Sequence, residues 1–130
     1  MRKRRFGISL SNQVAEELDE LASTLEVNRS KLIEEMISQG MVERGHLLRE
    51  HRCTGVLMVV TTRGRESELY RVYNEFRGVI KSIAHFHSKD LCMDVLFIEE
   101  AESSEIASLE REIRKVRVSV ERYFPVCHLS

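Results

Sequence analysis

Along residues 5–10, RFGISL, apolar Phe6, Ile8 and Leu10 alternate with Arg5, Gly7 and Ser9, the period of a half-buried strand. The period then lengthens. Val14, Leu18, Leu21 and Leu25 form one stripe of a helix that Ser11 can cap, with Glu16, Glu17, Asp19 and Glu20 near its start,. The turn EVNRSKLIEEM opens a second helix, with Asn28 or Ser30 as cap and Leu32, Ile33, Met36, Ile37 and Met41 as its apolar face,. This βαα unit of about 45 residues has one unpaired strand and too little chain to cover its apolar stripes, so it is expected to dimerise, two strands pairing antiparallel.

The polar stretch HLLREHRCTG reads as a connector, and a different pattern follows. GVLMVVTT, from Gly55 to Thr62, is the continuous apolar run of a central strand,. Leu69, Val72, Tyr73 and Phe76 then fall at helical spacing. Val79 to His87 alternates, SKDL makes a short turn and Cys92 to Ile98 returns, which predicts a β-hairpin,. Ile106, Leu109, Ile113 and Val116 mark a further helix with Ser103 or Ser104 as cap, before a strand from Val116 to Phe124. The order βαββαβ is that of a ferredoxin-like domain, two helices on one face of a four-stranded antiparallel sheet. Its open face predicts further association. The expected fold class is α+β, with a βαα domain over residues 1–47 and the βαββαβ domain over 54–130.

Charge changes the picture of the first domain. The 130-residue chain carries a formal net charge of −1, which argues against a nucleic-acid partner, yet Arg2, Lys3, Arg4 and Arg5 crowd its first residues. Position outweighs the sum. Three cysteines, Cys53, Cys92 and Cys127, are odd in number and far apart, which argues for a reducing compartment rather than a disulfide framework. No apolar run nears the roughly 20 residues of a membrane span, and no secretory signal is expected. The expected location is cytoplasmic.

The hairpin holds the candidate chemistry. His85 and His87, two apart on a strand, project from one face, and the short turn brings Cys92 opposite His87,. Imidazole and thiolate donors suit nickel, copper, zinc or cobalt far better than magnesium. The bland reading is two surface histidines and a packed thiol. The pairs His51 with Cys53 and Cys127 with His128 read as incidental.

With NRSKLIEEMI opening its second helix, the βαα unit resembles the ribbon-helix-helix family of bacterial transcription regulators. The resemblance implies a dimeric ribbon in the DNA major groove, with Arg5, Gly7 and Ser9 at the base-reading positions beside basic Lys3. It also implies a phosphate held at Asn28, Arg29 and Ser30. Gly7 offers no side-chain contact, which leaves Arg5 and Ser9 to read bases. Together the two halves resemble the nickel-responsive regulator family (NikR) along nearly the whole chain. That likeness implies an ACT-type tetrameric core, a square-planar nickel site and repression of nickel-uptake genes. His85, His87 and Cys92 match three ligands of one subunit. The neighbour's fourth ligand, a histidine in the family, falls on Asn74, eleven residues before His85, and the HSKDLC turn is shorter than the family's. These departures keep zinc and cobalt in play, with His51 or Glu75 as substitute ligands. A rival reading gives the second domain a small-molecule or purely oligomerising role. An enzyme is not expected: His87 and Cys92 could serve as base and nucleophile, but no phosphate loop or paired carboxylates accompany them.

Overall fold

Ser11 starts the first helix as expected, its hydroxyl accepting the Val14 amide at 3.3 Å. In the computed structural model, which describes residues 2–127, α1 (Asn12–Leu25) ends at Glu26, whose left-handed backbone turns the chain. His128 lies outside the described residues. Asn28 caps α2 (Arg29–Gly45), its Oδ1 accepting the Lys31 amide at 2.7 Å. The chain divides into two compact units, Met1–Gln39 and Gly40–Ser130.

The first unit has a small core. Leu18, Ala22 and Leu32 are buried, with Val27 and Ile33 packed against them. Val14, Leu21 and Leu25 of the expected stripe are exposed, as are Met36, Ile37 and Met41 of α2. The expected strand over residues 5–10 is not formed among the described residues, and Phe6 and Ile8 are 78% and 59% exposed. The physical reason is that a lone strand has no ladder to join, so the alternating segment has nothing within one chain to hydrogen-bond or pack against.

The second unit is a four-stranded antiparallel sheet in the order β2-β3-β1-β4. Its elements are β1 (Arg52–Thr62), α3 (Glu66–Glu75), β2 (Ile80–Ser88), β3 (Leu91–Glu102), α4 (Ser103–Lys115) and β4 (Val120–Pro125). Cys53, Leu57, Val59, Leu96 and Ile98 alternate toward a core completed by Leu69 and Tyr73 of α3 and by Ile106, Leu109 and Ile113 of α4. Met58, Phe86 and Phe97 point the other way and are exposed. Gly55, on central β1, is crowded: a Cβ there would meet the Tyr123 hydroxyl at 2.5 Å and the Phe124 carbonyl at 2.6 Å.

Two expectations need correction. β4 begins at Val120, because Arg117 takes a left-handed backbone that ends the helical turn after α4. The cap of α4 is neither Ser103 nor Ser104. The N-cap position is Glu102, which makes no side-chain cap bond, and the carboxylate of Glu50 accepts the Ser104 amide at 3.1 Å and the Ser103 hydroxyl at 2.9 Å. Those bonds hold the Glu50 carboxyl below its ordinary range. The stretch read as a polar connector is docked: residues 46–48 form a 3₁₀ turn, and the His51 amide donates to the Ser103 hydroxyl at 3.2 Å.

Candidate metal centre and nucleic-acid interface

The two-residue turn at Lys89 and Asp90 pairs His87 with Cys92 and His85 with Asp94 across β2 and β3. Lys89 takes the left-handed backbone the tight turn needs,. The ligand-type atoms of His85, His87 and Cys92 all lie within 4.8 Å of one another. His85 Nε2 is 2.8 Å from His87 Nε2, and His87 Nδ1 is 3.5 Å from the Cys92 sulfur. Cys92 is buried while both imidazoles are exposed.

Four residues that the sequence did not assign to this group surround it. Asp94 is buried and hydrogen-bonds His85 Nδ1, while its other oxygen accepts the Tyr73 hydroxyl at 2.8 Å. Burial, and then the Asp94 charge, push the Tyr73 phenol well above its usual range. Glu66, at the start of α3, accepts the Cys92 thiol at 3.0 Å and the Gly64 amide at 2.8 Å, which draw its carboxyl down to about 2. The same bond raises the Cys92 thiol. Tyr70 lies 3.4 Å from His85 Nδ1. Asn74 and Glu75 are exposed on α3 and outside the cluster. An acidic residue two positions after a candidate cysteine was the one local signal for Asp94; Glu66 and Tyr73 arrive through the packing of α3.

The pairs set aside as incidental are in part brought together. His46, His51, Cys53 and Cys127 place their ligand-type atoms within 4.8 Å of one another. Burial pushes the Cys53 thiol up to about 11. Burial also opposes ionisation of Cys127, but hydrogen bonds from Cys53 and His51 leave its thiol below the usual range.

In the first unit Lys3, Arg5, Gly7 and Ser9 are all exposed. Lys3 is 3.9 Å from Glu34, and the Arg4 guanidinium lies over Phe6 at 5.5 Å. Nothing lies within 4 Å of a Cβ built at Gly7. Asn28, Arg29 and Ser30 are exposed at the start of α2, where first-turn amides lack helical acceptors,. Asn28 spends its side chain on the cap, and the Arg29 guanidinium pairs with Asp19 at 3.0 Å. The side chains of Asn28 and Arg29 are thus both engaged within the chain. Among the described residues no helix is long and apolar enough to cross a membrane.

A further cleft of about 560 Å³ lies between the end of α2, α4 and β4, lined by Glu43, Arg44, Glu110, Arg114, Glu121 and Arg122. Arg114 bridges Glu110 at 3.2 Å and Glu121 at 3.3 Å, and the Glu110 carboxyl hydrogen-bonds Glu121.

Comparison with known proteins bears on the first unit. Residues 2–39 match the family model of the ribbon-helix-helix domain. Comparison with curated proteins finds no match. Among solved structures, an uncharacterized protein from Thermotoga maritima is similar with a TM-score of 0.47 and 12% identity, over 60% of this chain and 96% of that one. The ribbon-helix-helix match supports a DNA-binding transcription regulator that dimerises.

Proposed function

We propose that this chain is a metal-responsive transcription regulator, a repressor, in which a dimeric ribbon-helix-helix unit reads operator DNA and a ferredoxin-like, ACT-type unit senses a transition metal and builds a tetramer. The observation that carries it is the convergence of His85, His87 and Cys92 around a buried Asp94 in a chain whose first residues match a DNA-binding domain. The donors fit such an ion. Two imidazoles and a thiol are soft ligands, and a carboxylate on the second nitrogen of His85 fixes the ring's tautomer and orientation, as outer partners of metal-bound histidines do. The two Nε2 atoms lie 2.8 Å apart, a hydrogen-bond separation that a shared ion would widen,. The donor set suits nickel, copper, zinc or cobalt.

A bound ion would supply a tie between β2 and β3. The chain's own groups would do the rest: Cys92 would release its thiol proton to solvent, giving up its hydrogen bond to Glu66, and Asp94 holds His85. Metal changes DNA affinity only by binding one arrangement of the protein better than another. In the other unit, Arg5 would contact guanine, Ser9 a second base, Lys3 the backbone, and the amides of Arg29 and Ser30 a phosphate.

Elemental analysis after dialysis against each ion, paired with DNA binding with and without it, tests this reading. Near-stoichiometric metal that vanishes in a His85→Ala, Cys92→Ala variant, together with metal-dependent DNA affinity, is expected. DNA affinity indifferent to every first-row divalent ion would sink it. The small-molecule reading has its own observation in the 560 Å³ cleft lined by Glu43, Arg44, Glu110, Arg114, Glu121 and Arg122; a ligand that protects this cleft and not His85 would favour it.

A further inference from the structure

We infer that the docked connector and the ends of β1 and β4 build a second metal site, a structural Cys₂His₂ centre for a zinc-type ion, from His46, His51, Cys53 and Cys127. Its position separates it from the hairpin group. Cys53 lies near the start of β1, whereas Cys92 pairs with Thr61, eight residues along the same strand, about 26 Å away at about 3.3 Å per residue.

The four ligand atoms are already gathered. Cys53 and Cys127 sulfurs are 2.9 Å apart, and His51 Nε2 is 3.2 Å from the Cys127 sulfur. Tetrahedral ligands at about 2.0–2.3 Å from zinc lie about 3.3–3.8 Å from one another, so modest spreading admits the ion. The outer partners are in place as well. His51 Nδ1 bonds the Arg49 carbonyl at 2.7 Å, which makes Nδ1 the donor and leaves the Nε2 lone pair aimed at the cluster,. The Tyr123 hydroxyl donates to the Cys53 sulfur at 3.3 Å, a bond that favours thiolate.

His46 points to a ligand most directly. Both its ring nitrogens are buried and have no hydrogen-bond partner, an arrangement with a desolvation cost that native proteins rarely leave unanswered. Its ring sits edge-on to His51 at 5.6 Å and against Tyr123 at 5.1 Å. A metal bond satisfies one nitrogen; a Cys53–Cys127 disulfide would leave both unanswered. Binding releases one proton from each thiol to solvent, and the resulting centre ties the connector to the two strand ends.

The test uses the full chain, reduced, with His85, His87 and Cys92 replaced by Ala, Ala and Ser to remove the hairpin group. Cobalt(II) and zinc(II) are titrated and the cobalt spectrum recorded. One equivalent of tetrahedral cobalt with thiolate charge-transfer absorption, displaced by zinc, is expected. Adding Cys127→Ser or His46→Gln should abolish the thiolate-tetrahedral spectrum or weaken binding at least tenfold, with the metal-free melting curve as folding control. Should Cys127→Ser fail to fold, His46→Gln decides alone. No bound cobalt in the triple variant, or binding indifferent to His46→Gln, overturns the site. Because the hairpin ligands are gone, failure of the proposed sensing function leaves this result unaffected, and the reverse holds.

Discussion

His85 and Asp94 face each other across the β2–β3 ladder, and the carboxylate that meets His85 Nδ1 is buried and held from behind by the Tyr73 hydroxyl. Asp94→Asn removes the charge while keeping size and both strands. If the hairpin binds metal, affinity should fall about 10–100-fold without loss of stoichiometry. Competition against a chromophoric chelator measures this, and unchanged affinity would show that Asp94 serves the fold alone.

Arg5 and Lys3 are both exposed basic residues with different expected duties on DNA. Arg5→Ala should cost about 1–3 kcal/mol on the cognate duplex and little on a random one, whereas Lys3→Ala should weaken both alike and lower the salt slope by about 1. Gly7→Asn meets nothing within the chain and should shift base preference with no change in melting temperature. Fluorescence anisotropy over a salt series separates the three, and equal effects on cognate and random DNA for Arg5→Ala would deny it a reading role.

Burial and then Glu121 push the Glu110 carboxyl up to about 8, against an ordinary 4.5. The folded protein therefore keeps a proton that the unfolded chain releases. Stability from this group is fully present below about 4.5 and is lost as pH rises toward about 8. Glu110→Gln should flatten the melting temperature across that window and gain most, relative to the parent, at its alkaline end. A parent-minus-variant difference that does not vary with pH would contradict the assignment.

Leu57 and Met58 are neighbours on β1 that point to opposite sheet faces, the first fully buried and the second exposed. Leu57→Ala should cost about 2–5 kcal/mol in chemical denaturation. Met58→Ala should cost far less in dilute protein. An equal loss would mean that another surface covers the open face, and its dependence on protein concentration would say whether that surface is a second copy.

Much of this was readable along the chain because it is local. The turn between two alternating segments sets the register that places Cys92 opposite His87, and Ser11 and Asn28 cap the helices they precede. What escaped is long-range. Glu50 caps a helix that begins 53 residues later, a partner that a search for neighbouring Ser or Asp passes over. Glu66 and Tyr73 reach the hairpin only because α3 lies across it. Cys127 meets His51 and Cys53 because Gly55 pairs with Pro125 at the end of β4, a closure no spacing rule announces. The alternating segment over residues 5–10 is legible as a strand, yet its ladder depends on a second chain.

Gly55 carries that closure further. The Tyr123 ring passes over the space where a side chain at residue 55 would stand, and its hydroxyl reaches the Cys53 sulfur only by that route. Even alanine would displace the ring or the Phe124 backbone. In a saturation mutagenesis screen, residue 55 should rank among the least replaceable positions of the sheet, although it has no functional group of its own. Its tolerated substitutions would report how much room the sulfur cluster requires.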